Sequence, residues 1–291
     1  MKLKISLIAL LFYATASSVF ANGISDNNYE SRIKSLDRQG TVRIKSDAPS
    51  VTIVQTDSQD NGKVILSGSG RNQYDFSVSE SGGNLTIEVK KKKKWTINPL
   101  TDFQAALHVS LPKEWKNGSL DVSVVSGALH INSPLELQSA DLSTVSGALR
   151  FDDLDISRKG YLKSVSGAIS GQSISADDLE IDTVSGGITV QNIDVAIDGY
   201  LRAESVSGRI ELAKSNAYNA NIESVSGSIQ FVIPKDFNGK LVTKTVSGSV
   251  SAKLSNAGIE STDKRSTTYV IGNGNNFIEI STTSGSISFR D

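Results

Sequence analysis

Apolar and polar residues alternate with period two through most of the chain after residue 41. An aliphatic residue repeatedly lies two positions after a Ser-Gly pair, and usually another apolar residue lies four positions after it, as with Leu129 and Ile131 around His130. Such alternation is typical of a β-strand with one buried side. Because no helical pattern separates these segments, the sequence predicts an all-β fold.

One tetrapeptide, a hydroxyl residue followed by Val-Ser-Gly, recurs along the second half of the chain. The spacings between its glycines are 20, 20, 19, 22, 19, 21 and 37 residues. Self-similarity at ~20 residues is the signature of a stacked array of repeats. We interpret the motif glycines as structural; they are Gly127, Gly147, Gly167, Gly186, Gly208, Gly227, Gly248 and Gly285.

A second set of apolar residues lies three positions before the motif valine, as at Leu142 and Ile181. Since that offset is odd, one straight strand cannot bury both sets, so the chain must bend at the Ser-Gly, where glycine allows a bend without steric cost. Units of strand, bend, strand and return, stacked at ~4.8 Å, would share one core. We predict a single-stranded, β-helix-like β-solenoid of ~20-residue coils over residues 116–291.

The rest of the chain departs from this repeat. Residues 41–115 have looser β patterns and are interpreted as irregular coils or a cap, and the polar segment 22–40 is expected to be partly disordered. In the gap before the last motif, Thr267–Ile271 and Phe277–Ser281 flank a Gly/Asn turn and predict a hairpin.

Residues 1–21 have the pattern of a secretory signal peptide. Lys2 and Lys4 precede an apolar run, and small residues end at Ala21, where we predict cleavage. No later segment is apolar enough to span a bilayer, so no transmembrane segment is expected after cleavage. The mature protein is therefore predicted to be exported, whether periplasmic, at the cell surface or secreted.

Composition narrows the possible chemistry. The chain has no cysteine, which excludes disulfides, cysteine-bound zinc, iron–sulfur clusters and a thiol nucleophile. Its net charge of −1 argues against a nucleic-acid partner. The chain has 45 serines and 24 glycines, and the excess of these two residue types falls largely on the repeated bend. We expect no cofactor and no metal.

At this point the sequence resembles a known family. Leu111-Pro112 leading into Leu120-Asp121-Val122, the Ser/Thr-Val-Ser-Gly series, and Gly272-Asn273-Gly274 before Ser284-Gly285 are similar to the putative-adhesin β-strand-repeat domain of bacterial envelope proteins. The resemblance covers residues 41–291 and implies a β-solenoid exposed at or beyond the cell envelope. It implies no catalytic residues.

Catalytic patterns are weak. His108 and His130 are the two histidines, and no nucleophile-elbow motif accompanies them. A carbohydrate-active enzyme on a β-helix, a polysaccharide lyase or hydrolase, is the alternative, since such chemistry needs paired carboxylates. Turn chemistry explains the candidate carboxylates more simply; they are Asp152, Asp153, Asp155, Asp177 and Asp178.

Two charged features remain as candidate sites. Lys90, Lys91, Lys92, Lys93 and Lys94, with Trp95 after them, could bind an anionic polymer or lipid headgroups, or could form a solvated strand end. Trp95 and Trp115 could stack on sugars or cap the stack. Four positions before successive motif glycines lies a charged column that stacking would align: Lys163, Asp182, Glu204, Glu223 and Lys244.

These observations favour a non-catalytic exported envelope protein. It would act as a structural or adhesin-like module that engages an unknown envelope polymer or protein through the faces of its coils.

Overall fold

The computed structural model describes residues 24–25, 28–56, 62–92 and 104–291. Within these ranges the chain forms 24 strands and one 3₁₀ turn, Arg71–Gln73, so the predicted all-β class is confirmed. No helix within these ranges is long and apolar enough to cross a bilayer. The strands are β1 (Ile24–Ser25), β2 (Asn28–Arg32), β3 (Thr41–Ser46), β4 (Ser50–Gln55), β5 (Lys63–Ser67), β6 (Tyr74–Ser81), β7 (Asn84–Lys91), β8 (Ala106–Leu111), β9 (Gly118–Val124), β10 (Leu129–Ile131), β11 (Leu135–Thr144), β12 (Leu149–Ile156), β13 (Lys159–Ser164), β14 (Ile169–Thr183), β15 (Ile188–Ser205), β16 (Ile210–Leu212), β17 (Ala220–Ser224), β18 (Ile229–Val232), β19 (Gly239–Thr245), β20 (Val250–Lys253), β21 (Gly258–Thr262), β22 (Ser266–Ile271), β23 (Asn276–Thr282) and β24 (Ile287–Arg290).

The strands that precede the motif bends pair with one another in parallel and in register. The stacking order of this first ladder is β7, β3, β9, β11, β13, β14, β15, β17, β23 and β19. Along each strand, residues alternate between a buried side, such as Val122 and Leu142, and an outward polar side. Successive repeats therefore bury one continuous column of aliphatic side chains.

The strands that follow the bends form a second parallel ladder. Its order is β8, β4, β10, β12, β14, β15, β16, β18, β24 and β20. Large and small residues complement each other across it, because a Cβ added to Gly171 would lie 2.0 Å from the Phe151 ring. That ring fills the space beside the glycine, as dense core packing requires.

A third, shorter ladder links the other two in the middle repeats. Leu135, Leu154, Ile174 and Ile193 follow one another across β11, β12, β14 and β15 and are at most 2% exposed. All three ladders contribute to one continuous cluster of buried side chains.

At both ends the stacking order departs from the order of the chain. The last repeat, β23 and β24, inserts between the repeat of β17 and β18 and that of β19 and β20. The first repeat, β3 and β4, likewise inserts between β7–β8 and β9–β10. The parallel ladders thus continue across residue 115, and residues 41–55 stack in register with the motif repeats.

Antiparallel strands cover the outermost repeats. At the N-terminal end β6 pairs with β7, β5 with β8, β2 with β5 and β1 with β2. Within the polar segment 22–40, Asn28–Arg32 is therefore an ordered strand, and Ile33 after it is buried. At the other end β22 pairs with β19, and β21 with β22.

The hairpin predicted between Thr267–Ile271 and Phe277–Ser281 is wrong. β19 lies between β22 and β23, antiparallel to the first and parallel to the second. The connecting turn crosses over β19, and the Asn238 side-chain oxygen accepts hydrogen bonds from the amides of Asn273, at 2.8 Å, and Gly274, at 2.5 Å.

Candidate functional site: the repeat corner and the outer face

The motif forms the corner between the first and second ladders, and its buried hydroxyl holds that corner together. Ser164 Oγ accepts a hydrogen bond from the Gly167 amide at 2.9 Å, and Ser205 Oγ accepts one from the Gly208 amide at 2.7 Å. Ser205 Oγ also lies 3.3 Å from the Gly186 carbonyl of the preceding repeat. The first motif residue thus links its own bend to the neighbouring repeat and satisfies buried backbone groups.

The motif glycines stack directly on one another. A Cβ on Gly147, Gly167 or Gly186 would lie 1.9–2.0 Å from the carbonyl oxygen of the motif glycine one repeat earlier. Backbone conformation is not the reason for glycine here, since the motif glycines are not among the positive-φ residues. Glycine is required because one backbone passes close to the next, which differs from the expected role of easing a bend.

The motif valine points outward at the same corner. Val125, Val145, Val165 and Val184 are 41–45% exposed. Together with the exposed motif serines beside them, they form a regular apolar and hydroxyl stripe along the stack.

The outward side of the first ladder forms a regular surface, which we call the outer face. Each strand contributes three outward side chains, except that the row of β17 is completed by Asn219 just before the strand, and these side chains align in three columns across ten strands. From β13 to β19 the rows are Lys159, Tyr161, Lys163; Asp178, Glu180, Asp182; Tyr200, Arg202, Glu204; Asn219, Asn221, Glu223; Phe277, Glu279, Ser281; and Lys240, Val242, Lys244.

Charges on the outer face are largely paired with one another. Lys163 Nζ lies 3.0 Å from Glu180 and 3.7 Å from Asp182. Arg202 bridges Glu180, at 3.7 Å, and Glu204. Each of these exposed pairs contributes little stability on its own, but the network leaves a face with a small net charge.

Asp182 lies in the middle of this network. Burial, together with the hydrogen bond and the negative charge of Glu180, raises the pKa of Asp182 to about 7. Burial also acts to raise the pKa of Glu180, but hydrogen bonds with Asp182 and Lys163 lower it overall. The opposite directions of the two shifts favour protonation of Asp182 over protonation of Glu180.

Two further carboxyls on the face have raised pKa values. Burial raises the pKa of Asp141, and the negative charge of Asp121 adds to the shift. Burial likewise raises the pKa of Glu223, with Glu204 adding to it. Like charges on adjacent strands cause the additional shift in both cases.

The predicted charged column is aligned in part. Lys163, Asp182, Glu204 and Glu223 do face one another on successive strands. Ser281 of the inserted last repeat separates Glu223 from Lys244, so Lys244 does not flank the acidic residues. Sequence reasoning missed Arg202, which lies in the adjacent column and pairs with Glu204 of this column and with Glu180 of its own.

Part of the predicted lysine patch can be located. Lys90 Nζ pairs with Glu88 at 2.7 Å, and Lys92 Nζ lies 3.1 Å from the Asn72 carbonyl and 3.8 Å from Asp75. Lys91 donates its backbone amide to Asp47 at 2.8 Å. Lys93, Lys94 and Trp95 lie outside the described residues, so the anion patch stays a prediction.

Trp115, which lies within the described residues, is a core residue. Trp115 is 1% exposed, and its Nε1–H donates to the Gly40 carbonyl at 2.9 Å. It packs at the N-terminal end of the stack, where it cannot stack on a sugar.

The candidate enzymatic residues do not assemble into a catalytic constellation. His108 and His130 lie on strands either side of Thr52, on the outward side of the second ladder. Asp155 accepts a hydrogen bond from Ser175 at 2.6 Å, and Asp178 pairs with Lys159 at 3.3 Å. Asp152, Asp153 and Asp177 are exposed residues in or beside the third ladder. In the described ranges, His, Asp and Glu side chains form no group that could hold a metal ion.

These features define the class of the molecule: an all-β protein of stacked parallel repeats with hydroxyl–glycine corners. Residues 41–290 match the Toastrack DUF4097 family, and the chain belongs to that family. The resemblance inferred from the motif series is thereby confirmed, and these comparisons indicate no catalytic family.

Solved structures extend this comparison to the fold. A putative lipid binding protein from Parabacteroides distasonis is 17% identical, with a TM-score of 0.50 over 91% of this chain and 97% of its own. A putative adhesin from Bacteroides fragilis is 13% identical, with a TM-score of 0.43 over 92% of this chain and 100% of its own. At 17% identity, the similarity to the putative lipid binding protein concerns the fold alone. No curated protein matches the chain.

Proposed function

We propose that this protein is a non-catalytic, exported component of the cell envelope that binds an envelope polymer or protein through the outer face. In this proposal the repeats are the ~20-residue coils of a single-stranded β-solenoid, and the solenoid is a rigid scaffold for that face.

The outer face is the observation that carries the proposal. Ten parallel strands at ~4.8 Å spacing give a surface ~43 Å long with three side-chain columns. Its position is fixed by the hydrogen-bonded ladder beneath it, so a ligand would meet preorganised side chains. Pairing among its charges, as in the bridge from Arg202 to Glu180, leaves polar groups for directional contacts without a strong net field.

Export rests on residues 1–21, which lie outside the described residues. If the signal peptide is cleaved as the sequence predicts, N-terminal sequencing of protein recovered from the host envelope or medium will begin at Asn22. A chain that retains Met1 in the cytoplasmic fraction would contradict this part of the proposal.

The binding role can be tested with one substitution on each ladder. Asn221→Arg places a long charged side chain in the centre of the outer face, whereas Ser170→Arg does the same on the outward side of the second ladder. We expect sedimentation with isolated host envelope material to weaken at least tenfold for Asn221→Arg and to remain unchanged for Ser170→Arg.

Three results would count against the proposal. If the unmodified protein does not bind envelope material, the binding role is refuted. Equal binding by both variants would move the site away from the outer face. Turnover of a polysaccharide that is lost on substitution of Asp152 or Asp177 would establish the enzymatic alternative instead.

The lysine run offers a second, separable contact. Replacing Lys90–Lys94 by Gln is expected to weaken any salt-sensitive binding to anionic glycans or lipids, since such attraction is screened by salt. Unchanged binding would leave the run as a solvated strand end.

A further inference from the structure

Three aromatic side chains recur at regular intervals on the outer face. Tyr161, Tyr200 and Phe277 lie on β13, β15 and β23, and one strand separates each from the next. Tyr200 and Phe277 occupy the same column, and Tyr161 the adjacent one. At ~4.8 Å per strand, neighbouring aromatics are therefore ~10 Å apart along the stack.

Core packing does not explain Tyr200 and Phe277. Tyr200 is 44% exposed and Phe277 is 42% exposed, although fully burying such a side chain would contribute ~1.5–3 kcal/mol. The other residues of their column are polar, among them Asp178, Asn219 and Lys240. The buried side of each strand faces away from this column, so the fold itself has no need of an aromatic here.

Polar groups fill the rows between the aromatics. Asp178 and Glu180 separate Tyr161 from Tyr200, and Asn219 and Asn221 separate Tyr200 from Phe277. Aromatic surface that alternates with amide and carboxylate groups suits a ligand with both apolar C–H faces and many hydroxyls. A protein or lipid partner would favour a contiguous apolar patch instead.

Each cation beside the aromatics is already ion-paired. Lys163 Nζ lies 5.5 Å from the centre of the Tyr161 ring and pairs with Glu180. Lys244 pairs with Glu279 at 2.7 Å, and Lys240 with Glu260 at 2.8 Å. A polyanion would have to compete with these carboxylates, so the face favours an uncharged ligand.

We propose that Tyr161, Tyr200 and Phe277 form a strip that binds an extended, uncharged polysaccharide running along the stack, across the strands. The inference rests on the proposed function and names its ligand class. The spacing of the aromatics is close to the length of a disaccharide unit in an extended glycan, so equivalent sugar faces would meet successive rings. The amides and carboxylates between the rings would bond the hydroxyls.

Affinity electrophoresis through gels that contain neutral polysaccharides tests this inference. The probes are hydroxyethylcellulose, galactomannan and mixed-linkage β-glucan, with dextran as a flexible comparison and an anionic polymer, alginate, as a charged one. We expect at least one extended neutral glycan to retard the protein, with little dependence on salt. Tyr200→Ala and Phe277→Ala should each weaken that binding about tenfold, and the double variant should abolish it.

Matched variants separate ring contact from general effects. Tyr200→Phe keeps the ring and should bind within about twofold of the unmodified protein. Val165→Ala removes exposed apolar surface at the repeat corner, off the outer face, and should change nothing. Equal thermal melting of all variants will show that the fold is intact.

The failure of this inference is distinguishable from failure of the binding role. If the protein binds envelope material but no neutral glycan, or if protease treatment of that material removes binding, the ligand is not a polysaccharide and the inference is overturned. Retardation only by alginate, reversed by salt, would also overturn it. If the protein does not bind envelope material at all, the proposed function fails first.

Discussion

The two ends of the stack are built on the same topology but are covered to different degrees. At the N-terminal end, the antiparallel strands β5 and β6 pair with the last parallel repeat, and Tyr74 and Val78 of β6 are buried there. At the C-terminal end, Ala252 is exposed although it lies in register with buried Phe289. β21 is exposed along its whole length.

The difference shows that holding an end repeat in place and burying the apolar side of the outermost repeat depend on different features. Insertion of the first and last repeats one step inward fixes each by strands on both sides, which protects it from fraying. Covering requires additional apolar residues. The N-terminal end has them, whereas at the C-terminal end the Tyr269 ring, 5.4 Å from that of Phe289, is a smaller cover.

The largest expected effect concerns the N-terminal end, which we call the closed end because antiparallel strands cover it; the C-terminal end is the open end. Trp115→Ala removes a ring that is 1% exposed and its hydrogen bond to Gly40. We expect the free energy of unfolding to fall by about 4 kcal/mol, the usual range for such a cavity. Urea denaturation followed by circular dichroism measures it, with Trp115→Phe as the milder control. A loss below about 1 kcal/mol would show that the Trp115 ring contributes little to the stability of this end.

The next effect concerns the middle of the stack. There the strands on both sides hold each repeat in place, so the backbone cannot move to relieve a steric clash. A Cβ on Gly186 would lie 2.0 Å from the Gly167 carbonyl oxygen, whereas on the adjacent Gly187 its nearest neighbour would be 3.2 Å away. Gly186→Ala should cost about 3 kcal/mol and Gly187→Ala less than about 1. At the open end, Gly248→Ala should cost less than Gly186→Ala, because the outer repeat can move. Equal losses at Gly186 and Gly187 would refute close backbone approach as the reason for the motif glycines.

The parallel stacking of the repeats was accessible from the sequence because it is encoded locally and repeatedly. Alternation around Leu129 and Ile131, repeated at each motif, specifies which side is buried. The order at the ends is different, since Thr282–Gly285 departs from the other motifs only at Thr283 and does not reveal which repeat it pairs with. The gap of 37 residues before it was the one local signal, because it leaves room for β21 and β22 to cross.

The outer face was predictable only in part for a similar reason. One column, with Asp182 and Glu204, followed from counting four positions back from each motif glycine. Counting six and eight positions back would have found Arg202, Tyr200 and Phe277, except that Phe277 becomes a neighbour of Asn219 only through the inserted last repeat. Long-range strand order thus decides which side chains meet.

A pH titration tests the middle of the stack, where Asp182 lies on the outer face. The pKa of Asp182 is raised by burial and by Glu180 from 3.8 to about 7, so its contribution to stability is fully present below the lower value and is lost as the pH rises through the upper one. Lowering the pH from about 8 to 6 should therefore raise the free energy of unfolding by about 1 kcal/mol. Asp182→Asn should flatten this dependence. A free energy of unfolding that falls as the pH is lowered over this interval would contradict a proton shared by Asp182 and Glu180.

The smallest expected effect tests whether the open end is free in solution. Ile259 on β21 is 64% exposed, whereas Val78 on β6 at the closed end is 7% exposed. Ile259→Ser should change the free energy of unfolding by less than about 0.5 kcal/mol, because a side chain already in water loses little on truncation. Val78→Ala, its counterpart, should cost about 2 kcal/mol. If Ile259→Ser destabilised the protein as much as Val78→Ala, and the loss grew with protein concentration, the open end would be covered by another chain and the two ends would be equally closed.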